Sequence, residues 1–171
     1  MRVYGQASDD PTSYALPLRE QFDVFLDEHR AELASCLNDV SEEQARRHVV
    51  HSDTTLLGLV KHATFVEYVW FGEAISGRSR AELGIADGPA ESFVLAENDT
   101  IESVLAAYAA ACEQSRSAAA GLALDDLVTG NRRGPIPLRW IYLHMLRELA
   151  QHCGHADILR EQLLHPRNDR S

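Results

Sequence analysis

Residues 137–163 read PLRWIYLHMLRELAQHCGHADILREQL and carry one uninterrupted helical stripe. The stripe recurs at steps of three or four residues and comprises Leu138, Ile141, Met145, Glu148, His152, Ala156, Leu159 and Leu163. This spacing predicts a long amphipathic α-helix with one buried face. Glu148 and His152 occupy two positions of that face. A buried carboxylate costs free energy unless it is paired or binds a cation, so the stripe predicts a polar site inside a helical fold.

Upstream of this helix, the same periodicity and the usual capping signals predict further helices and no strand. The predicted elements are a first long helix over about 18–37, a short helix opened by a capping box at 41–44, a second long helix from the candidate N-caps Ser52, Asp53 and Thr54 to about Ser76, a connection over 78–98, a third long helix over about 100–121, and a fourth from Pro137 to about Leu164. These elements predict an all-α fold, an antiparallel four-helix bundle with a short extra helix and a long loop between helices 2 and 3. Whether that loop folds over the interior site or away from it is left open.

The length of the chain favours one domain. A chain of 171 residues buries roughly 70% of its unfolded surface in a single core. We expect a flexible N-terminal segment over 1–15, because it holds Gly, Pro, Ser and Asp without periodicity. The bundle then covers 16–165, and 166–171 form a C-terminal tail.

Charge and composition exclude several classes of protein. The chain carries 16 Lys and Arg against 26 Asp and Glu, a net charge of −10, which opposes binding to nucleic acid or to anionic membranes. No apolar run reaches the roughly 20 residues of a membrane span, and residues 1–14 lack a signal-peptide core. Three widely spaced cysteines are typical of free thiols in a reducing compartment. We therefore expect a cytoplasmic protein that acts on a small molecule.

A histidine of the second helix lies on a buried face like that of the fourth. The stripe Leu59, His62, Val66 and Val69 places His62 towards the interior. Side chains four residues apart on a helix are separated by about 6 Å along the axis and about 40° around it, so Glu148 and His152 can converge on one point. Together with His62 they offer two imidazoles and a carboxylate. Three protein ligands with an open fourth position are typical of a catalytic site of the zinc type.

Other interpretations of these residues remain open. Any one of the histidines alone is more often a satisfied core residue, and Glu148 can instead pair with an arginine, which would leave a buried polar network. His144 lies one turn before Glu148 and His155 one turn after His152, and each is a candidate ligand, supporting partner or proton carrier. We expect His144 to be a boundary residue and keep His155 as the candidate proton carrier.

Four other groups near the predicted site have simpler interpretations. Cys153 points about 100° around the helix from the adjacent His152 and is expected to be a small buried residue. Trp70 and Trp140 are expected to be core or pocket wall. The pair Arg132 and Arg133 is more typical of a solvated loop than of an anion site.

Two stretches resemble a known family. Residues 55–77, TLLGLVKHATFVEYVWFGEAISG, and residues 137–163 resemble the DinB-like superfamily. The resemblance covers most of the chain. It is strongest to the actinobacterial branch of mycothiol-dependent maleylpyruvate isomerase-like and mini-circle proteins, at G-L-V-K-H and at H-C-G-H-A-D-I-L-R-E. A single lysine, Lys61, among 16 basic residues agrees with a GC-rich bacterial source of this kind.

The resemblance implies a four-helix bundle that holds a divalent metal ion at His62, Glu148 and His152. Zn²⁺ is the expected ion and Ni²⁺ the second candidate. Characterised relatives use the metal to activate a low-molecular-weight thiol, so mycothiol is implied as a co-substrate for S-transfer or isomerisation, with His155 moving protons. A homodimer is also implied. The isomerase itself carries an additional C-terminal domain without a counterpart here, so a different substrate is expected.

Two other functions stay open at this stage. One is a metal-dependent hydrolase of a small amide or ester, and the other is a non-catalytic dimeric metal-binding bundle.

Overall fold

The computed structural model describes residues 9–52 and 54–165 and is mostly helical, as the sequence predicts. Its elements are a 3₁₀ turn (Pro11–Ala15), α1 (Leu18–Ser35), α2 (Glu42–Arg46), α3 (Leu56–Glu67), a π-helical segment (Tyr68–Glu73), α4 (Ala74–Ser76), α5 (Arg80–Leu83), a second 3₁₀ turn (Glu91–Phe93), α6 (Ile101–Ala119), β1 (Leu127–Val128), β2 (Ile136–Pro137) and α7 (Leu138–Leu164). Of the predicted flexible segment 1–15, only 9–15 are described, and the predicted tail 166–171 lies outside the described residues.

The helix that carries His62 begins later than predicted. Thr55 has an extended backbone, and its hydroxyl accepts a hydrogen bond of 3.0 Å from the amide of Gly58, so Thr55 is the N-cap of α3. The predicted caps Ser52 and Thr54 bond to each other instead, and Asp53 lies outside the described residues. Gly77 ends the helical run at a φ of 72°, in the left-handed region that glycine adopts without strain, which confirms the predicted stop.

The fourth long helix starts from a small feature that the sequence does not predict. Residues 127–128 and 136–137 form a two-residue antiparallel ladder, with Val128 opposite Ile136. Two residues are too few for strand alternation to show in a sequence. The ladder leads directly into α7, for which Pro137 is the N-cap.

The long helices bury a continuous apolar core. α1 packs on α7 and α3 packs on α6, while α3 also contacts α7. The core positions on these helices include Leu26, Leu33, Leu59, Val66, Val104, Ile141, Met145, Leu149, Ala156, Leu159 and Leu163. Across the described ranges, no helix is both long enough and apolar enough to cross a membrane.

The connection 78–98 folds back over α3. Lys61 of α3 donates a hydrogen bond of 2.8 Å to the carbonyl of Val94 and forms an ion pair of 2.7 Å with Asp99. At the other end of the connection, Arg80 forms an ion pair of 3.0 Å with Glu73. These anchors bring the 3₁₀ turn Glu91–Phe93 onto α3, beside His62.

Candidate metal centre

His62 is held in one orientation by the 3₁₀ turn of the connection. Its ring is buried and stacks on Phe93, with 4.0 Å between ring centroids and 11° between ring planes. Its Nδ1 lies 2.7 Å from the hydroxyl of Ser92, which itself donates to the carbonyl of Pro89 at 2.6 Å. Because the serine hydroxyl proton is used on Pro89, Nδ1 of His62 is the donor and Nε2 is left with a lone pair.

That lone pair faces two residues of α7. His62 Nε2 lies 3.8 Å from Oε1 of Glu148, and His152 Nε2 lies 3.4 Å from the same oxygen. One ligand atom from each of the three residues lies within 4.8 Å of the others. The structure therefore brings together the three residues that the spacing of the stripes predicts.

The three side chains do not satisfy one another. Both ring nitrogens of His152 are buried and have no hydrogen-bond partner among the described residues. Burial lowers the pKa of His62, which keeps its ring neutral at pH 7. The Glu148 side chain is only partly buried, so its carboxylate is anionic at neutral pH. An anion and imidazole lone pairs that share one point form a donor set suited to a divalent cation of the zinc type.

His144 takes a supporting position beside this set. Its Nδ1 accepts a hydrogen bond of 2.9 Å from Arg147, so the ring proton is on Nε2, which lies 3.8 Å from Oε2 of Glu148. Burial lowers the pKa of His144, and the positive charges of Arg147 and Arg133 lower it further, against the opposite effect of Glu148. A neutral ring with its proton towards Glu148 is arranged as a donor to the carboxylate rather than as a ligand.

His155 lies at the rim of the candidate centre. Its side chain is exposed, and its ring centroid lies 6.0 Å from that of His152. It is not part of the group of three residues whose ligand atoms converge. Cys153 is buried and points elsewhere, with its thiol towards the carbonyl of His29, as expected for a small core residue.

Next to Glu148 is a group of three rings, Trp70, Trp140 and His144, here called the aromatic cluster. Trp140 and His144 are one turn apart on α7 and stack with 5.2 Å between centroids and 5° between planes. Trp70 comes from the π-helical segment and lies 4.3 Å from the ring of His144. The guanidinium carbon of Arg133 lies 5.1 Å from the ring centroid of Trp70 and 5.4 Å from that of Trp140. The guanidinium of Arg133 therefore packs on this cluster, while Arg132 and Arg133 are both exposed in the loop, as the sequence predicts.

Sequence reasoning missed Ser92 and Phe93. Both belong to the connection, and their contact with His62 depends on the direction in which that connection folds. Lys61, which anchors the connection, directly precedes His62. Because it is the one lysine of the chain, it was the sequence feature that could have indicated a contact between the connection and the helix that carries His62. Ser92 also lines a cavity of about 620 Å³ between α3, the connection and α6.

Comparisons with known proteins agree with this fold. The sequence model of a family described as Mycothiol-S-transferase matches residues 21–164. A crystal structure of a conserved protein from Enterococcus faecalis superposes with a TM-score of 0.67 at 14% sequence identity, over 88% of this chain and 99% of that chain. At that identity the likeness shows the fold alone. No curated protein matches the chain.

Proposed function

We propose, because this chain belongs to the mycothiol-S-transferase family, that it is a metal-dependent enzyme that uses a low-molecular-weight thiol against a small electrophile. The observation that carries the proposal is the buried Nε2 of His152, which has no hydrogen-bond partner among the described residues and lies 3.4 Å from the anionic Glu148. Mycothiol is the proposed thiol, and His62, Glu148 and His152 are the proposed metal ligands. The proposal includes the predicted antiparallel four-helix bundle as the scaffold and a cytoplasmic location, where the three buried thiols stay reduced.

The donor set supports a divalent ion, with Zn²⁺ expected and Ni²⁺ as the alternative. When bound, such an ion lowers the pKa of a thiol, so that the thiolate is available at neutral pH. Ser92 fixes the tautomer of His62 so that Nε2 is free to bind, and His144 directs its ring proton towards the second oxygen of Glu148. Two of the three proposed ligands, His62 and Glu148, then each have a neighbouring side chain that orients them.

The reaction that we propose at this site is attack of sulfur on carbon. The thiol gives up its proton, and a sulfur electron pair forms a bond to the electrophilic carbon of the co-substrate. In a transfer, the leaving group departs with the electron pair of its broken bond. In an isomerisation, sulfur adds to a carbon–carbon double bond, the new single bond rotates, and loss of the same thiolate restores the double bond. His155, exposed at the rim, takes the thiol proton and returns it to the departing group.

The first test is the metal content of the full-length protein, measured by elemental mass spectrometry after purification without a tag. We expect about one Zn or Ni ion per chain in the wild type and close to none in Glu148→Ala, because the variant loses the one charged ligand. Glu161→Ala is the matched control, since Glu161 is an exposed glutamate of the same helix. Stoichiometric metal in Glu148→Ala would contradict the ligand assignment.

The second test separates thiol chemistry from hydrolysis. Turnover of an electrophile such as a haloalkyl dye is measured with mycothiol present and with water alone. Turnover that requires the thiol supports the proposal, whereas turnover of an ester with water alone favours the hydrolase. A metal-loaded protein without either activity favours a non-catalytic metal-binding bundle. Homodimer formation stays a prediction, which light scattering during size-exclusion chromatography tests.

A further inference from the structure

Three residues of the motif G-L-V-K-H meet one short piece of the connection. The motif covers residues 58–62, and its first, fourth and fifth positions are Gly58, Lys61 and His62. Positions i, i+3 and i+4 of a helix lie on one face, so these three residues present one surface of α3. Residues 92–94, here called the strap, lie against this surface.

The motif holds the strap by its backbone. A Cβ at Gly58 would lie 3.0 Å from the carbonyl oxygen of Phe93, and only glycine lets a backbone approach a helix this closely. One turn further along α3, Nζ of Lys61 donates its hydrogen bond of 2.8 Å to the carbonyl of Val94. Two consecutive carbonyl groups of the strap are therefore fixed against one helix face.

The side chains of the strap in turn hold His62. The hydroxyl of Ser92 lies 2.7 Å from Nδ1 of the ring, and the ring of Phe93 stacks on it at 4.0 Å. Both contacts require the strap backbone to lie close to α3. A displacement of that backbone away from the helix would lengthen the hydrogen bond and open the stack together.

The close approach at Gly58 is specific to this position. Glycine within a helix destabilises it relative to alanine, because the unfolded chain is freer at glycine. Gly72 and Gly154 are also helical, but they leave room for a methyl group. Among the described residues, the atom nearest to a Cβ at Gly72 is 3.5 Å away, and none lies within 4 Å of one at Gly154. The contact with the strap gives Gly58 a role that these two glycines lack.

We propose that Gly58 and Lys61 are positioning residues, which seat the strap on α3 and so hold the ring of His62 with its proton on Nδ1. That the ring held in this way serves a metal ion rests on the proposed function, whereas the seating of the strap does not.

The state of the ring is measured by NMR of the imidazole nitrogens. Full-length protein is labelled with ¹⁵N-histidine and freed of metal with a chelator, and the spectrum is recorded at about pH 8, where the ring of His62 is neutral. The signals of His62 are assigned by their absence in His62→Gln. We expect the wild type to carry the ring proton on Nδ1. A mixture of both tautomers in the wild type would overturn the proposal.

Substitutions of the two positioning residues are expected to release the ring. In Gly58→Ala, the added Cβ displaces the carbonyl of Phe93 by a few tenths of an ångström, which weakens the bond from Ser92 and admits the second tautomer. Gly58→Val, with a larger side chain, is expected to show more of that tautomer. Lys61→Met loses the bond to Val94 and is expected to show both tautomers. A wild-type spectrum in Gly58→Val and in Lys61→Met would overturn the proposal, and in only one of them would exclude that residue from it.

Two controls separate the seating of the strap from the stability of the helix. Gly72→Ala makes the same change in the same helical run, with ordinary contacts at 3.5 Å, and is expected to keep the wild-type spectrum. A Cβ at Gly58 would also lie 3.0 Å from the hydroxyl of Thr55. Thr55→Ala removes this N-cap without adding a Cβ, so it is expected to lower the melting temperature and to keep the proton of His62 on Nδ1. Equal tautomer mixtures in Thr55→Ala and Gly58→Ala would overturn the role of Gly58.

Metal affinity separates this proposal from the proposed function. In competition with a chromophoric chelator, Gly58→Ala and Lys61→Met are expected to bind metal about tenfold more weakly than the wild type, and Gly72→Ala equally well. Unchanged affinity in the first two variants, despite mixed tautomers, would overturn their effect on the metal site. A wild type that binds no metal but keeps the Nδ1 tautomer would contradict the proposed function and leave the seating of the strap intact.

Discussion

Ser92 controls which nitrogen of His62 carries the ring proton. The serine hydroxyl donates to Pro89 and accepts from Nδ1 of His62, and this arrangement leaves Nε2 without a proton. Without Ser92, the neutral ring can carry its proton on either nitrogen. A ring protonated on Nε2 cannot bind a cation there, so the serine acts on the candidate metal centre through His62.

Ser92→Ala is predicted to weaken metal binding by about 10–100-fold, the usual effect of losing a hydrogen bond to a metal-binding histidine. The affinity is measured by competition with a chromophoric chelator, with circular dichroism to show that the helices are kept. Ser92→Thr is expected to restore binding, since it keeps the hydroxyl, and Ser117→Ala on the exposed face of α6 to have no effect. An unchanged affinity in Ser92→Ala would show that Ser92 does not position His62.

The candidate ligands were predictable from the sequence and their partners were not. His62, Glu148 and His152 interrupt stripes with helical period, and helical geometry alone brings such positions to one face. Ser92 reaches His62 from 30 residues away along the chain, through a connection whose path depends on tertiary contacts. Arg133 reaches Trp70 and Trp140 in the same way, from a loop with no periodicity.

At the scale of elements, the run from residue 56 to residue 76 is not one regular helix. The sequence predicts a continuous helix, whereas Tyr68–Glu73 is π-helical. A π-helical turn inserts one residue into the backbone hydrogen-bond pattern and rotates all side chains beyond it. Trp70 lies in this segment and packs against His144 and Trp140. Apolar periodicity cannot predict such a turn, because the same stripe is compatible with either winding.

The connection 78–98 depends on Lys61 and Asp99 for its position. Burial alone would raise the pKa of Asp99, but the bonds from Lys61 and from the amide of Ala96 outweigh burial and hold the pKa below its ordinary value. A carboxyl whose pKa is lowered on folding contributes stability above the pKa of the unfolded chain and loses it as the pH falls through the lower folded value. The connection should therefore be held more weakly in acid.

Asp99→Asn is predicted to lower the free energy of unfolding at pH 7, and the difference from wild type is predicted to shrink as the pH falls below about 4. Urea unfolding followed by circular dichroism at several pH values measures this difference. Asp87→Asn, an exposed change in the same connection, serves as the control. A difference that is the same at pH 7 and pH 3 would show that the ion pair with Lys61 does not hold the connection.

For the whole molecule, a buried ion pair joins α1 to α3. Arg30 binds both carboxylate oxygens of Glu67, at 2.8 Å and 2.7 Å, and Glu67 has no exposed surface. Asp27 extends the network to the surface, since it pairs with Arg30 at 2.9 Å and with Arg116 of α6 at 2.9 Å. α1 and α6 make few other contacts with each other. The ion pair between Asp27 and Arg116 therefore joins two helices that share little apolar contact.

Removal of either Arg30 or Glu67 alone is predicted to lower the free energy of unfolding far more than removal of both residues. Glu67→Leu leaves the guanidinium of Arg30 buried without its carboxylate and is expected to lower the free energy of unfolding by about 3–5 kcal/mol. Should this variant fail to fold, Glu67→Gln, which keeps the shape and part of the hydrogen bonding, is expected to show a smaller loss. The double variant Arg30→Met with Glu67→Leu is expected to recover most of the stability, because no charge remains buried.

The exposed ion pair between Arg116 and Glu113 provides the control for this double-mutant cycle of Arg30 and Glu67. Glu113→Gln is expected to change the free energy of unfolding by less than about 1 kcal/mol, since solvent screens that pair. Urea unfolding of all the variants gives the coupling energy between Arg30 and Glu67. Strictly additive losses in the double variant would mean that each residue stabilises the fold through its own packing. A recovery would mean that the pair mainly prevents a buried charge and so fixes how α1 sits against α3, the helix that carries His62.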